Sequence, residues 1–204
     1  MEAGPVKEGK IELAAARDGL FLVDSLRLEA VNALEEVMIA TRHGGTAVRR
    51  GDKLAGMRVI PLVIEEEKLR RAEEAAGGAP LLTLLPWRLK TAAVIATGSE
   101  VAKGLIQDSF TPVVEKKLVE YGIETVFRRT PGDDIEAVKN AILEARVAGP
   151  DLILCTGGMS VDPDDNTPGA VKRSGARIVS YGAPVLPGAM LLLAYLEDGT
   201  PVLG

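Results

Sequence analysis

Histidine and cysteine are almost missing from this chain of 204 residues, which carries one of each, His43 and Cys155. A single cysteine permits no intrachain disulfide, and one histidine with one cysteine cannot assemble a zinc site. A reducing, cytoplasmic location is the reading that follows. Aromatic residues make up 3% of the chain and the formal net charge is -5. Few rings leave little for base stacking, and an acidic balance opposes the phosphate neutralisation on which sequence-independent nucleic-acid binding depends. No apolar run reaches the roughly 18 residues of a membrane span, and the opening MEAGPVKEGK lacks the apolar centre of a signal peptide. Neither G-x-x-x-x-G-K-[ST] nor G-x-G-x-x-G occurs, which disfavours an ordinary P-loop ATPase or a dinucleotide dehydrogenase.

What is present suits a buried core: 47% hydrophobic and 26% charged residues, enough for one large domain or two small ones. Glycine and proline concentrate in GGAPLLTLLPWRLK, residues 77–90, just after the charged, helix-like stretch from Glu65 to Ala76. We therefore divide the chain into residues 1–85 and 86–204. In the first part the short apolar runs KIELAAA, LFLVD, EVMIA and MRVIPLVI alternate with turn signals at Arg17-Asp18-Gly19 and Arg50-Gly51-Asp52. They predict a small strand-rich domain, with a helix within residues 25–35. His43, after one of these runs, reads as a strand-end residue bonded locally.

The second part alternates strand and helix. TAAVIATG is a strand, and the helix after it places Phe110, Val114, Leu118 and Tyr121 on one face, with Pro112 in its first turn and Gly122 at its end. IETVFRR is a second strand. Pro131-Gly132-Asp133-Asp134 supplies a turn and cap for a helix with Ile135, Val138, Ile142 and Ala145 inward. DLILC is a third, apolar on both faces, where Cys155 reads as an inert core residue. The fold class that follows is α/β: a three-layer, parallel or mostly parallel sheet with helices on both faces, preceded by the strand-rich domain. Strand-Thr-Gly occurs at Thr97-Gly98 and again at Thr156-Gly157, and both turns then lie at the carboxyl edge, where open α/β sheets bind ligands.

The loop LILCTGGMSVDPDDNTP admits three readings. As a calcium loop, Asp162, Asp164 and Asn166 start well, but Thr167 stands where glycine is required and Arg173 where a bidentate Glu belongs. A Mg²⁺ ion shared with ligand phosphates stays open, since it needs one or two protein carboxylates. As a nucleophile turn, Gly158-Met159-Ser160-Val161-Asp162 lacks the last glycine, and His43 belongs to the other domain. The third reading is a glycine turn whose backbone N–H groups face an anion, followed by a helix with Asp165 as N-cap and Pro168 in its first turn. Capping accounts for one aspartate of three.

Taken together, these residues resemble the molybdopterin-binding domain shared by molybdopterin adenylyltransferases, molybdopterin molybdotransferases and gephyrin, over roughly residues 91–204. Thr97-Gly98-Ser99-Glu100 is similar to that family's Thr-Gly-acid turn, with Ser in the acidic place, and Ile106-Gln107-Asp108-Ser109 to its I-x-D-S segment. Thr156-Gly157-Gly158-Met159-Ser160 matches T-G-G-x-S, and Asp165-Asn166-Thr167-Pro168 matches D-x-T-P. Pro187-Gly188 resembles the family's K-P-G-K-P, but Leu186 and Ala189 replace both lysines. The chain also stops at Gly204, where the family continues into an L-P-G-x-P loop. The spacing is equally similar to the N-terminal domain of competence-damage-inducible proteins.

The resemblance implies a role in molybdenum cofactor biosynthesis, with Asp108 and Asp165 as the catalytic carboxylates for adenylyl or molybdate transfer. Thr97, Gly98, Ser99, Glu100, Ser109, Thr156, Gly157, Gly158, Ser160, Thr167, Pro187 and Gly188 would hold molybdopterin or a related phosphorylated small molecule, with Mg²⁺ as a candidate helper and a homo-oligomer as the assembly. Charge, aromatic content and the lack of a long apolar run, noted above, argue against a nucleic-acid or membrane partner. A non-catalytic carrier or sensor, and a domain acting on ADP-ribose-like nucleotides, are the alternatives.

Overall fold

Short apolar runs bounded by turns can each bury one face. In the computed structural model, which describes residues 1–160 and 165–204, those of the first 88 residues do so in two small antiparallel sheets. The elements are β1 (Glu2–Ala3), β2 (Lys10–Ala14), β3 (Gly19–Val23), α1 (Ser25–Asn32), β4 (Val37–Thr41), β5 (Thr46–Val48), β6 (Lys53–Val59), α2 (Glu66–Ala76) and β7 (Leu82–Leu85). One sheet runs β1-β2-β6-β4, the other β5-β3-β7. Phe21, Val48, Leu54, Leu82 and Leu84 form a core, and Val31, Val37 and Ala72 pack α1 and α2 into a second cluster. Arg27 organises the helix pair. Its Nε donates to Asp24 Oδ2 at 2.8 Å, Nη1 to the carbonyls of Ala76 and Ala79 at 2.7 Å each, and Nη2 to Pro80 O at 3.1 Å. The guanidinium thereby satisfies the last carbonyl of α2, which has no intrahelical partner, and two more in the turn beyond it. His43 lies beyond β4, with Nδ1 2.6 Å from Gly44 O, the local bonding expected of it.

The second unit, Leu89–Gly204, contains β8 (Thr91–Ala96), α3 (Ser99–Ala102), α4 (Phe110–Glu120), β9 (Glu124–Arg129), α5 (Ile135–Val147), β10 (Leu152–Thr156), α6 (Thr167–Arg173), β11 (Arg177–Tyr181), β12 (Leu192–Tyr195) and β13 (Pro201–Leu203). Its sheet runs β11-β12-β13-β10-β8-β9. β9, β8, β10 and β13 are parallel neighbours, whereas β12 is antiparallel to both β11 and β13. The change of sense follows from chain length. The connections flanking β12 are too short for a helical crossover, so each strand must turn straight back. The α/β class with a mostly parallel sheet is thus what the chain adopts.

Alternate residues of β8 serve opposite faces. Ala93 and Ile95 join Ile153, Cys155 and the α5 residues Val138, Ile142 and Ala145 on one side. Ala92 and Val94 join Leu152 and Leu118 of α4 on the other. The inward face read for α5 is the buried one, and Asp134 caps that helix by accepting from Ala137 N at 2.8 Å. The face read for α4 is only half used. Val114 and Leu118 pack inward, but Phe110 is 71% exposed and Tyr121 44%, because α4 lies over β8 and the edge strand β9 and its end residues stay at the surface. Asp162 and Asp164, read above as a calcium-like spacing, and Val161 lie outside the described residues.

Ile142 is fully buried and Val147, on the same helix, is 89% exposed. In urea unfolding, Ile142→Ala is expected to cost about 2–5 kcal/mol, and Val147→Ala within about 0.5 kcal/mol.

Candidate functional site

Parallel pairing brings the exits of β8, β9 and β10 to one edge of the sheet, and the turns that follow them are knitted together. Thr97 N donates to Thr156 O at 2.7 Å, and Thr97 Oγ1 to the same carbonyl at 3.2 Å. Thr167, 1% exposed at the start of α6, donates Oγ1 to Gly157 O at 2.8 Å and its N–H to Gly158 O at 3.1 Å.

The two glycines are required by this contact as well as by their backbone angles. Gly157 has φ 86°, and a β-carbon there would stand 2.6 Å from Thr97 O and 2.7 Å from Thr97 Oγ1. At Gly158, φ 58°, it would stand 2.8 Å from Thr167 Oγ1. The space into which a β-carbon would project at each glycine is taken by a neighbouring threonine. Among the described residues the backbone N–H groups of Gly98, Gly157 and Gly158 donate to no other group.

Asp133 is the residue that sequence reasoning left as part of a turn. Its Oδ2 accepts from Ser99 N at 2.8 Å, its N–H donates to Ser99 Oγ at 3.3 Å, and its carbonyl accepts from Asn166 Nδ2 at 2.9 Å. It therefore joins the turns after β8, β9 and β10. A signal was present: Pro131-Gly132-Asp133-Asp134 holds two aspartates, and Asp134 alone suffices as cap.

Asp108 is half-buried ahead of α4, where Oδ1 accepts from Phe110 N at 2.9 Å and Thr111 N at 3.0 Å. Burial pushes its carboxyl upward as the largest single influence, but the hydrogen bonds from the Thr111 hydroxyl and the two amides together hold it below the ordinary carboxylate value. This aspartate thus caps a helix, whatever else it does. Asp165 is half-buried in the approach to α6, but the residue at the N-cap is Asn166, not Asp165. Asn166 makes no side-chain cap bond, since its amide reaches Asp133 instead, while Pro168 does sit in the first turn.

Glu100 is exposed in the first turn of α3, and Ser109 and Ser160 are exposed in their loops. Pro187 and Gly188 are exposed in the connection between β11 and β12. The base of that connection is tied to the glycine loop by Tyr181, whose hydroxyl donates to Met159 O at 2.8 Å. Cys155 is buried, which pushes its thiol up to about 12 and removes it as a nucleophile. Among the described residues no three His, Cys, Asp or Glu side chains converge as a metal set, and no helix is long and apolar enough to cross a membrane.

A family model described as a probable molybdopterin binding domain matches residues 93–198. A CinA-like protein of Pseudothermotoga lettingae is 34% identical over 86 residues, 42% of this chain and 21% of that protein. A molybdopterin molybdenumtransferase of Staphylococcus epidermidis is 32% identical over 128 residues, 57% of this chain and 29% of that one. The matched segments thus span less than a third of either relative's length. Two solved structures share the fold of the second unit. The protein CinA from Thermoplasma acidophilum, described there as of unknown function, has a TM-score of 0.50 at 18% identity, covering 56% of this chain and 86% of that one. The molybdopterin biosynthesis enzyme MoaB from Thermus thermophilus has 0.50 at 22%, covering 56% and 79%.

Gly157→Ala is expected to destabilise the chain by roughly 1–3 kcal/mol through its positive φ and the clash with Thr97; thermal unfolding checks this. Because the Asp108 pKa is depressed, its contribution to stability is complete above the ordinary value of 3.8 and is lost as pH falls through the lower folded value. Asp108→Asn is expected to flatten that acid-side loss in denaturation curves taken below pH 3.8.

Proposed function

The chain belongs to the probable molybdopterin binding domain family, and from that premise we propose that it binds molybdopterin or a related phosphorylated small molecule at the carboxyl edge of β8, β9 and β10, as a step of molybdenum cofactor biosynthesis. The observation that carries this reading is the clasp of the two Thr-Gly turns, which holds Gly157 and Gly158 in place while their N–H groups keep no acceptor among the described residues. Such amides suit a phosphate, because they offer donors in a fixed position without a side chain in the way. The residues present fit the ligand in kind: backbone donors at Gly98, Gly157 and Gly158 for the anion, hydroxyls at Ser99 and Ser160 for polar groups, and carboxylates at Asp108, Asp133 and Asp165. When bound, molybdopterin supplies the dithiolene and the phosphate on which such chemistry acts.

Adenylyl or molybdate transfer is the finer part of the proposal. Asp133 holds the Ser99 turn through one carboxylate oxygen, and with Asp165 it is our choice for the one or two protein carboxylates that a Mg²⁺ shared with ligand phosphates requires. Thr97, Glu100, Ser109, Thr156, Thr167, Pro187 and Gly188 complete the proposed surround, with Thr167 acting through the loop it anchors. Leu186 and Ala189 carry no charge beside Pro187-Gly188, so charge developing on a polyphosphate meets less fixed positive charge there. Binding therefore ranks ahead of transfer. A homo-oligomer in solution, checked by light scattering, belongs to the same reading.

The CinA-like relative, 34% identical over 86 residues, favours a second reading in which the same turns hold a nucleotide pyrophosphate of the ADP-ribose kind.

Calorimetry with molybdopterin is expected to show saturable binding that Asp133→Ala weakens about tenfold or more, the scale of a lost charged hydrogen bond. Binding of ADP-ribose but not of molybdopterin would replace the first reading with the second. With ATP and Mg²⁺ added, adenylylated product is expected to form about a hundredfold more slowly in Asp133→Ala and Asp165→Ala; unchanged turnover in both would remove transfer.

A further inference from the structure

In the sheet β1-β2-β6-β4, Glu12, Gly56 and Ala40 stand opposite one another on adjacent strands, and the neighbouring rung holds Lys10, Arg58 and Met38. Residues two apart on a strand share a face, so both rungs look to the same side. Gly56 and Ala40 contribute almost no side chain; the Lys10 stem folds over Gly56, its Cε 3.3 Å from where a β-carbon would stand, and these residues, with Arg42 and Lys53, line a hollow of about 490 Å³. A second hollow of about 450 Å³ shares Lys10, Glu12 and Arg58 with the first and adds Lys7 and Glu8. Five cations line the pair against two carboxylates, in a chain whose net charge is -5.

The ion pairs use only part of this excess. Glu12 takes Lys10 Nζ at 2.5 Å and Lys53 Nζ at 2.9 Å, and those two lysines hold its carboxyl down to about 2. Arg42 is paired with Asp52 at 2.8 Å. The Arg58 guanidinium makes no ion pair or hydrogen bond among the described residues. One carboxylate thus keeps two ammonium groups converged beside a guanidinium that has no counter-ion among the described residues. The size of each hollow falls within the roughly 300–1,000 Å³ of small-molecule sites.

We propose that this face binds a small organic phosphate, whose phosphoryl oxygens take the Arg58 guanidinium and share Lys10 and Lys53 with Glu12, and whose apolar body lies over Ala40 beside Met38 and the Lys10 stem. Arginine supplies a planar fork that matches phosphoryl oxygens, and the lysines add point charges. Glu12 acts as a built-in competitor: it positions the lysines and weakens the ligand's hold on them. The site belongs to the first unit and draws nothing from the reading of the carboxyl-edge turns.

The test is a titration of the full chain with phenyl phosphate, followed by amide NMR. Saturable shifts are expected at Ala40, Gly56 and Arg58, with affinity about tenfold lower in Arg58→Gln and higher in Glu12→Gln, and about tenfold lower for inorganic phosphate than for phenyl phosphate. The same spectra report whether each variant keeps its fold. No saturable shift at these amides in the native chain overturns the proposal, as does an unchanged affinity in Arg58→Gln, a Glu12→Gln chain that binds no tighter, or equal affinity for the two phosphates.

Discussion

At Gly157 the backbone of one turn comes so near Thr97 in another that a β-carbon would stand 2.6 Å from its carbonyl oxygen. That approach depends on the pairing of β8 with β10, which sets Thr156 opposite Ala96 and brings both strand exits level. From it follow the rest of the edge. Gly157 O is presented to the Thr167 hydroxyl, Gly158 O to the Thr167 N–H, and the start of α6 is fastened to the loop before it. A buried hydroxyl left unbonded would cost free energy, and Thr167 meets that requirement by anchoring the glycine loop.

The acidic residues divide the remaining labour. Asp134 caps α5, Asp108 caps α4, and Asp133, with no helix to cap, ties the turns after β8 and β10 to its own. The two arginines at the end of β9 are engaged with carboxylates, Arg128 with Glu115 and Arg129 with Glu144. The edge of the second unit therefore offers an anion backbone donors. The sheet of the first unit offers side-chain cations instead, around Gly56 and Ala40. Two solutions to the same electrostatic problem stand on the two units.

Much of the architecture was legible in the chain. The α5 face Ile135, Val138, Ile142 and Ala145 and the apolar β10 run could be read because periodicity reports directly which side chains must leave water. The strand-to-turn placement of both Thr-Gly pairs followed from parallel topology. The α4 face is buried only at its middle, since periodicity does not say where a sheet ends beneath a helix. The residue at the cap of α6 is Asn166 and not its neighbour Asp165, because the two are equally good caps in isolation and the choice depends on what else each side chain can reach. The role of Asp133 leaves no local pattern, because its partners, Ser99 and Asn166, lie 34 and 33 residues away.

By itself the sequence determined the class of fold, the alternation of strands and helices in the second unit, and the motif set that ties it to a family of molybdopterin-binding domains. Those depend on local propensity and hydrophobic period, which act over a few residues. Only the tertiary structure decided which glycines are sterically obligatory, which of several aspartates knits the turns, and where cations gather beside small residues. Each of these is a meeting of atoms far apart in the chain, set by strand order and register.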